Sequence, residues 1–265
     1  MQVRIPLPAI EIQRAWIGVL DRTSTSVQLL ERAEATGMSA AEEYLAAKEF
    51  EIWPDDALLG APELADVTEF LARGRQSAQG PSDHVLIKTQ HVQMGRYVPS
   101  SATLDPGAAS RVPPAALLKP GDVLVACSAA GCLGRVARFD DPDVIASTDT
   151  HIAIARADRA QVTPTYLYAY LLGAQGQFQL RSRERGDWAR QKVGFRLTEL
   201  NLRDLQQVPI PLPSLGEQER VVRRLDTIKE RLGGLERLFE QRAKLTESIV
   251  AAFMGRVTGD LPDLG

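Results

Sequence analysis

Val208-Pro209-Ile210-Pro211-Leu212-Pro213-Ser214-Leu215-Gly216-Glu217-Gln218-Glu219, and the run behind it to Phe253-Met254-Gly255, decide how this chain is built. Prolines at alternate positions fix φ and withhold backbone donors, so Pro209 to Pro213 is expected to be a stiff, extended strap. Ser214 followed three residues later by Glu217 is a capping box, which starts a helix there. Val221, Leu225, Ile228, Leu232, Leu235, Phe239, Ile249 and Phe253 then form an apolar stripe whose 4-3 spacing slips only near Arg242 and Thr246. A helix of roughly 38 residues, about 57 Å long, exceeds an ordinary core helix. One stripe of that length needs a partner helix to cover it, the amino-terminal helix in cis or from another copy, so these eight residues are the candidate spacer-packing positions.

The amino terminus repeats this stretch. Ile5-Pro6-Leu7-Pro8-Ala9-Ile10-Glu11-Ile12-Gln13, running on to Leu20-Asp21, aligns without gaps on Ile210 to Asp226, with Ile, Pro, Leu, Pro, Gln, Leu and Asp identical. An internal copy of this kind marks one period of a larger pattern. The helix behind the first strap is expected from about Ala9 to Thr36, with Trp16, Leu20, Val27 and Leu30 as its stripe and Gly37 ending it. Ser39 with Glu42 is expected to cap a second helix reaching about Phe50. Trp53-Pro54-Asp55-Asp56 breaks the pattern and marks a boundary.

Between the boundary and the second strap the signals change period. An amphipathic piece covers Pro62 to Phe70, and a polar loop covers Arg73 to Asp83. Val85-Lys88, Val123-Cys127, Val136-Phe139 and Ile152-Ala155 read as strands, with a further one after the turn at Gly95 and a helix over Pro164–Leu172. The expected organisation is α+β: spacer helices in 1–58, a strand-rich domain in 59–215, and a long carboxy-terminal helix in 216–265.

These landmarks resemble the specificity (S) subunits of type I restriction-modification systems. The resemblance rests on Ile-Pro-Leu-Pro with its Gln and the helix ending Ala-Phe-Met-Gly, on Leu-Ala-Asp-Val at 64–67 and Pro-Gly-Asp-Val-Leu-Val at 120–125. Gly-Arg-Val-Ala at 134–137 and Pro-Thr-Tyr-Leu-Tyr-Ala-Tyr-Leu at 164–171 complete it. It implies a target-recognition domain held by coiled-coil spacer helices and binding double-stranded DNA. It implies no cofactor in this chain, the S-adenosylmethionine belonging to a partner adenine methyltransferase (modification) subunit, and a restriction subunit in a full system. Family chains carry two recognition domains, so this half-size form is expected to act as a homodimer or to pair with another half S subunit. A fragment of a longer S subunit is the alternative.

Charge supports the middle as the nucleic-acid part only weakly. Residues 1–59 carry 5 basic and 10 acidic side chains, 60–215 carry 17 and 15, and 216–265 carry 9 and 9. The densest basic cluster is Arg181 to Arg196, with Arg181, Arg183, Arg185, Arg190, Lys192 and Arg196 against Glu184 and Asp187. Arginine pairs bidentately with phosphate or guanine, and glutamine with adenine. Lys88, Gln90, His91 and Arg96 form a second candidate set at a strand end, with Arg135 and Arg138 beside Gly131 and Gly134. Asp149, Thr150 and His151 are a weaker one. Solvated helix faces and polar loops explain the same residues equally simply.

Catalytic signatures are missing. The sequence has no phosphate-loop motif, no His-Glu-x-x-His and no Gly-x-Ser-x-Gly. Its single asparagine, Asn201, precedes Leu202, so no Asn-Pro-Pro-aromatic methyltransferase motif is present. A non-catalytic chain is expected, with no metal; Cys127 and Cys132 read as small buried residues of a cytoplasmic protein. No apolar run approaches the roughly 18 residues of a membrane span, and no signal segment is visible. A coiled-coil adaptor with a protein-binding domain and a nuclease with an unfamiliar site stay open as rivals.

Overall fold

The computed structural model describes residues 39–75, 78–128, 131–186 and 198–259, together with 28, 32 and 35–37. The first strap, its stripe of Trp16, Leu20, Val27 and Leu30, and the basic residues Arg190, Lys192 and Arg196 lie outside them, as do the side chains of Leu235, Phe239, Ile249 and Phe253. Two compact units divide the chain: Ala46–Asp226, and Met1–Leu45 with Thr227–Gly265.

In the first unit a four-stranded antiparallel sheet runs in the order β1 (Thr68–Arg73), β8 (Ile152–Ala157), β5 (Asp122–Ala126), β6 (Val136–Phe139). Its two central strands are buried at every position, because both faces are covered. Val123, Val125, Ala153 and Ala155 pack under helix α3 (Pro164–Leu172) with Tyr166, Leu167, Tyr170 and Leu171. Leu124, Ala126, Ile152 and Ile154 face Ile87, Val92 and Phe139 on the other side. Double coverage is why these strands read as unbroken apolar runs instead of alternating ones. Each large aliphatic side chain so buried contributes about 1.5–3 kcal/mol of transfer free energy.

Strand β2 (Val85–Ile87) pairs in parallel with β7 (Ala146–Thr148) over the second face. The hairpin β3 (Val92–Gln93) and β4 (Arg96–Tyr97) turns at Gly95, whose φ of 75° suits glycine. Helix α2 (Pro106–Ala109) is capped by the Asp105 carboxylate, and α4 (Ala174–Ser182) follows α3. A small hairpin pairs β9 (Arg185–Gly186) with β10 (Thr198–Glu199), and α5 (Leu202–Gln206) leads to the strap.

The strap is fixed from both edges. On one, Leu64 N–H donates to the Val208 carbonyl at 2.8 Å and Ile210 N–H to Pro62 at 2.9 Å. On the other, each proline carbonyl accepts one side chain. The Tyr170 hydroxyl donates to Pro209 at 2.9 Å, the Tyr166 hydroxyl to Pro211 at 2.8 Å, and Gln218 Nε2 to Pro213 at 2.9 Å. Buried Trp53 stands edge-on to Tyr166 and Tyr170, and its indole N–H donates to the Tyr166 hydroxyl at 3.0 Å.

Helix α6 (Leu215–Gly259) is one 45-residue helix, longer than the sequence pattern suggested because Gly255 does not stop it. At 1.5 Å per residue it measures roughly 68 Å. Glu217 reaches back to Ser214 N–H at 3.1 Å, half of the expected capping box, while the Ser214 hydroxyl donates to the same carboxylate. Leu225 is buried in the core of the first unit, with Val221 and Val222 packed against it, so the first turns of α6 close their own domain.

Three expectations are corrected. Gly37 and Ser39 are themselves helical instead of flanking residues: helix is described at 35–37 and, as α1, over 39–52, where Ser39 bonds to Glu43 one turn on. Alanines at 35, 40 and 41 offset a glycine worth about 1 kcal/mol. The Pro62–Phe70 piece is a 3-10 turn, Leu64–Val67, leading into β1, which takes Phe70 to Arg73. Cys132 is only half-buried, whereas burial pushes the Cys127 thiol up to about 11.

Candidate nucleic-acid interface

The sheet has two functionally distinct ends. At one end β1 and β5 begin and β6 and β8 finish. There Gln161 donates to the Asp66 carbonyl at 3.1 Å, and Gln218, the strap-motif glutamine, accepts from Thr163 N–H at 2.8 Å and donates to the Gln161 carbonyl at 2.9 Å. Thr163 caps α3, so one buried amide ties the root of α6 to the start of α3.

At the other end β1 stops at Arg73, β5 at Ala126 and β7 at Thr148, while β6 and β8 start at Val136 and Ile152. The loops here hold most of the polar candidates. Lys88, Gln90 and His91 occupy a 3-10 turn, Thr89–His91, directly after β2, and Asp149 N–H donates to the Ile87 carbonyl at 3.0 Å. His91 is buried and Gln90 exposed. The Lys88 N–H donates to His91 Nδ1 at 3.0 Å, which leaves the proton of the neutral ring on Nε2; the Gln90 amide, 3.3 Å away, accepts it only with its oxygen turned to the ring. Burial and then Lys88 hold the His91 pKa below its ordinary value, against Asp149. A neutral imidazole therefore stands behind an exposed amide.

Gln93 Nε2 donates to the Gln90 carbonyl at 2.7 Å, and Arg135 Nη1 to Gln93 Oε1 at 3.1 Å. Gln177 donates to the Gly134 carbonyl at 2.8 Å, and the Arg181 side chain passes beside Gly134. The structure thus gathers Lys88, Gln90, His91, Arg135 and Arg181 from three separate segments. It does not gather Arg96, which lines a separate groove with Arg138, Asp140 and Asp141. Arg138 is bonded to Asp140 at 2.7 Å, and its guanidinium lies over the Tyr168 ring. Arg183 is held by Gln179 and the Gln207 carbonyl, and Arg185 pairs with Asp204 at 2.5 Å. The flanks of the basic segment 187–197 pair as β9 and β10, and Glu199 bridges to Ser128 at the same end of the sheet.

His151 is exposed there, its Nδ1 2.5 Å from the Ser128 hydroxyl and its N–H bonded to Asp149 Oδ1 at 2.9 Å. Burial raises the Asp149 pKa, and the His151 N–H opposes it. Arg73 pins this loop: Nε donates to the Thr150 carbonyl at 2.8 Å while Nη1 pairs with Glu199. Arg73, Ser128 and Glu199 escaped the sequence reading because they come together only through strand pairing. Among the described residues no group of three or more His, Cys, Asp or Glu is placed to hold a metal ion, and no helix is long and apolar enough to cross a membrane.

Exposed amide, imidazole and guanidinium groups on a braced loop surface match what base-edge and phosphate recognition require. Residues 114–241 match the family described as Type I restriction modification DNA specificity domain. The fold is similar to a chain from a study of complex assembly and conformational transition of the type I R-M system. That match has 20% identity and a TM-score of 0.67, over 92% of this chain and 58% of that one. It is also similar to the HsdS subunit from Thermoanaerobacter tengcongensis, at 21% identity and a TM-score of 0.56, over 93% of this chain and 59% of that one. The chain spans less than two thirds of either structure's length. No curated protein matches it.

Proposed function

We propose that this chain, whose residues 114–241 match the type I restriction modification DNA specificity domain, reads a DNA sequence through one recognition domain and directs a separate adenine methyltransferase to it. The observation that carries the reading is the placement of the polar loop cluster and the root of α6 at opposite ends of one sheet. Gln90, exposed and with its carbonyl held by Gln93, is suited to bidentate adenine recognition, and Arg135 and Arg181 to guanine or phosphate. This chain only binds; the methyl donor, S-adenosylmethionine, and the chemistry belong to the modification subunit, with a restriction subunit added in a full system.

The strap and the root of α6 are the proposed dock for that subunit. Supporting this, an open groove of about 680 Å³ lies there, walled by Trp53, Tyr166, Leu212 and Val221, with Glu217 and Arg220 at its rim. Two copies, or this chain with another half S subunit, would pair the α6 stripes from Ile228 onward about a twofold axis.

Selection from a randomised duplex pool tests the reading, using the full chain alone and co-expressed with a type I modification subunit. Enrichment of one sequence is expected, with adenine methylation in it when S-adenosylmethionine is supplied. Gln90→Ala is expected to relax the preference at one position by about 1–3 kcal/mol. A pool that stays random with both preparations sinks the proposal.

A further inference from the structure

Beside the loop cluster, on its β1 side, lies a cleft of about 320 Å³ that the sequence reading did not anticipate. One wall is Arg73, Gly74 and Arg75 at the end of β1; the other carries Arg111, just after α2; Ser147 and Thr148 of β7 also line it. No Asp or Glu is among its lining residues. We propose that this cleft seats a phosphodiester of the DNA backbone and so sets the register of the duplex over Gln90 and Arg135. The proposal rests on the DNA-reading function above and adds to it a phosphate anchor.

Three observations support it. First, the backbone is built to bring the arginines there. A Cβ on Gly74 would stand 2.0 Å from the Thr148 carbonyl oxygen and 2.4 Å from that of Asp149, so only glycine lets 73–75 lie along β7. Gly74 N–H donates to the Ile152 carbonyl at 3.0 Å and Arg75 N–H to Thr148 at 3.3 Å, which fixes the arginines on either side of the glycine.

Second, the charge converges. Arg73 is offset by Glu199, but the Arg111 guanidinium makes no hydrogen bond or ion pair among the described residues, its backbone N–H alone donating to the Ala108 carbonyl. A cleft lined by three arginines and no carboxylate suits a phosphate, two of whose oxygens match the planar fork of one guanidinium.

Third, the cleft is mechanically joined to the reading loop. Arg73 holds the Thr150 carbonyl and reaches the Ser128 hydroxyl at 3.4 Å, one residue pair from His151 and Asp149. A phosphate seated on this wall is thereby tied to the loop that would face the bases. Phosphate contacts position a duplex without carrying sequence information.

Binding of the enriched duplex and of a scrambled one is measured by fluorescence anisotropy between about 50 and 200 mM salt, the range over which phosphate contacts show. The samples are the full chain, Arg111→Ala, Arg75→Ala/Arg111→Ala and Gln90→Ala, each with its melting midpoint. Arg111→Ala is expected to flatten the slope of log K against log salt by about 1, and the double variant by about 2. Both duplexes should weaken by the same factor, leaving their ratio unchanged, whereas Gln90→Ala should change the ratio and spare the slope.

A wild-type chain that binds duplex with a steep slope which the arginine variants retain overturns the anchor but leaves the function reading intact. A changed ratio in Arg111→Ala overturns it too, by placing that side chain on a base edge. Inorganic phosphate and adenosine monophosphate are titrated separately by calorimetry. Saturable uptake that Arg111→Ala abolishes would make the cleft a small-anion site and reject the backbone assignment. A wild-type chain that binds no duplex, alone or with the modification subunit, fails the function reading instead.

Discussion

Gln218 illustrates how one side chain can join two elements. Its fully buried amide accepts from Thr163 N–H and donates to the carbonyls of Gln161 and Pro213. Removing it strands three backbone groups, and an unsatisfied buried group costs about 1–3 kcal/mol. Gln218→Ala is expected to lower stability by at least about 2 kcal/mol in urea denaturation with an unchanged m-value; a loss below half of that would mean water replaces the amide. His84 and His91 give a second residue-scale prediction. Burial lowers both pKa values from an ordinary 6.5, with Lys88 adding to the effect at His91. The unfolded chain therefore takes up protons first, and stability falls as pH drops through about 6.5 toward the lower folded values. The melting midpoint should be flat from about pH 8 to 7 and decline from about 6.5 to 5, and His84→Asn should make the decline shallower. A decline of the same steepness in that variant would assign it to other groups. Asp149, raised by burial, acts in the opposite sense at lower pH.

Among the elements, the strap depends on α3 more than on its own prolines. Proline leaves a carbonyl acceptor and no donor, and Tyr166 and Tyr170, one helical turn apart, supply donors to Pro211 and Pro209. Burial pushes the Tyr166 hydroxyl up to about 12, so it stays a protonated donor across the working range. Tyr166→Phe and Tyr170→Phe should each cost about 1–3 kcal/mol, because a buried carbonyl loses its partner while packing on Trp53 is kept. The check is paired denaturation curves, and a near-neutral Tyr166→Phe would mean the Trp53 indole and the Pro211 carbonyl find other partners. The pattern Pro-Thr-Tyr-Leu-Tyr-Ala-Tyr-Leu thus makes the strap's anchor legible once the two stretches are read together. Strands β1 and β7 were not legible, because Thr68–Arg73 and Ala146–Thr148 are short and mix small, charged and apolar residues. What makes them strands is the edge offered by β8 and β2.

For the whole molecule, α6 sets the geometry of any assembly. Val221 and Leu225 are used within the core of the first unit, whereas Ile228 and Leu232, half-buried, belong to the second. Leu238 is 61% exposed, a large apolar side chain facing solvent in the single chain. Sedimentation equilibrium is expected to give twice the 29.0 kDa of the chain, and Leu232→Glu to return it to monomer with the melting of the recognition domain unchanged. A wild-type chain that is monomeric at about 100 μM would rule out self-pairing with a Kd below that concentration.

The amino-acid sequence on its own determined the strap, the long helix with its cap, the buried strands β5, β6 and β8, and helix α3 with its boundaries. Each of these rests on local chemistry: fixed proline φ, a serine-glutamate cap, apolar runs, and a proline at a helix start. The site was decided by tertiary structure alone. Gln90 stands beside buried His91, Arg135 joins it through Gln93, and Gly74 lets the end of β1 lie against β7, bringing Arg73 and Arg75 to the cleft that Arg111 also lines. Residues distant along the chain become neighbours only when strands pair and loops end at a common edge, and no periodicity within a segment carries that information.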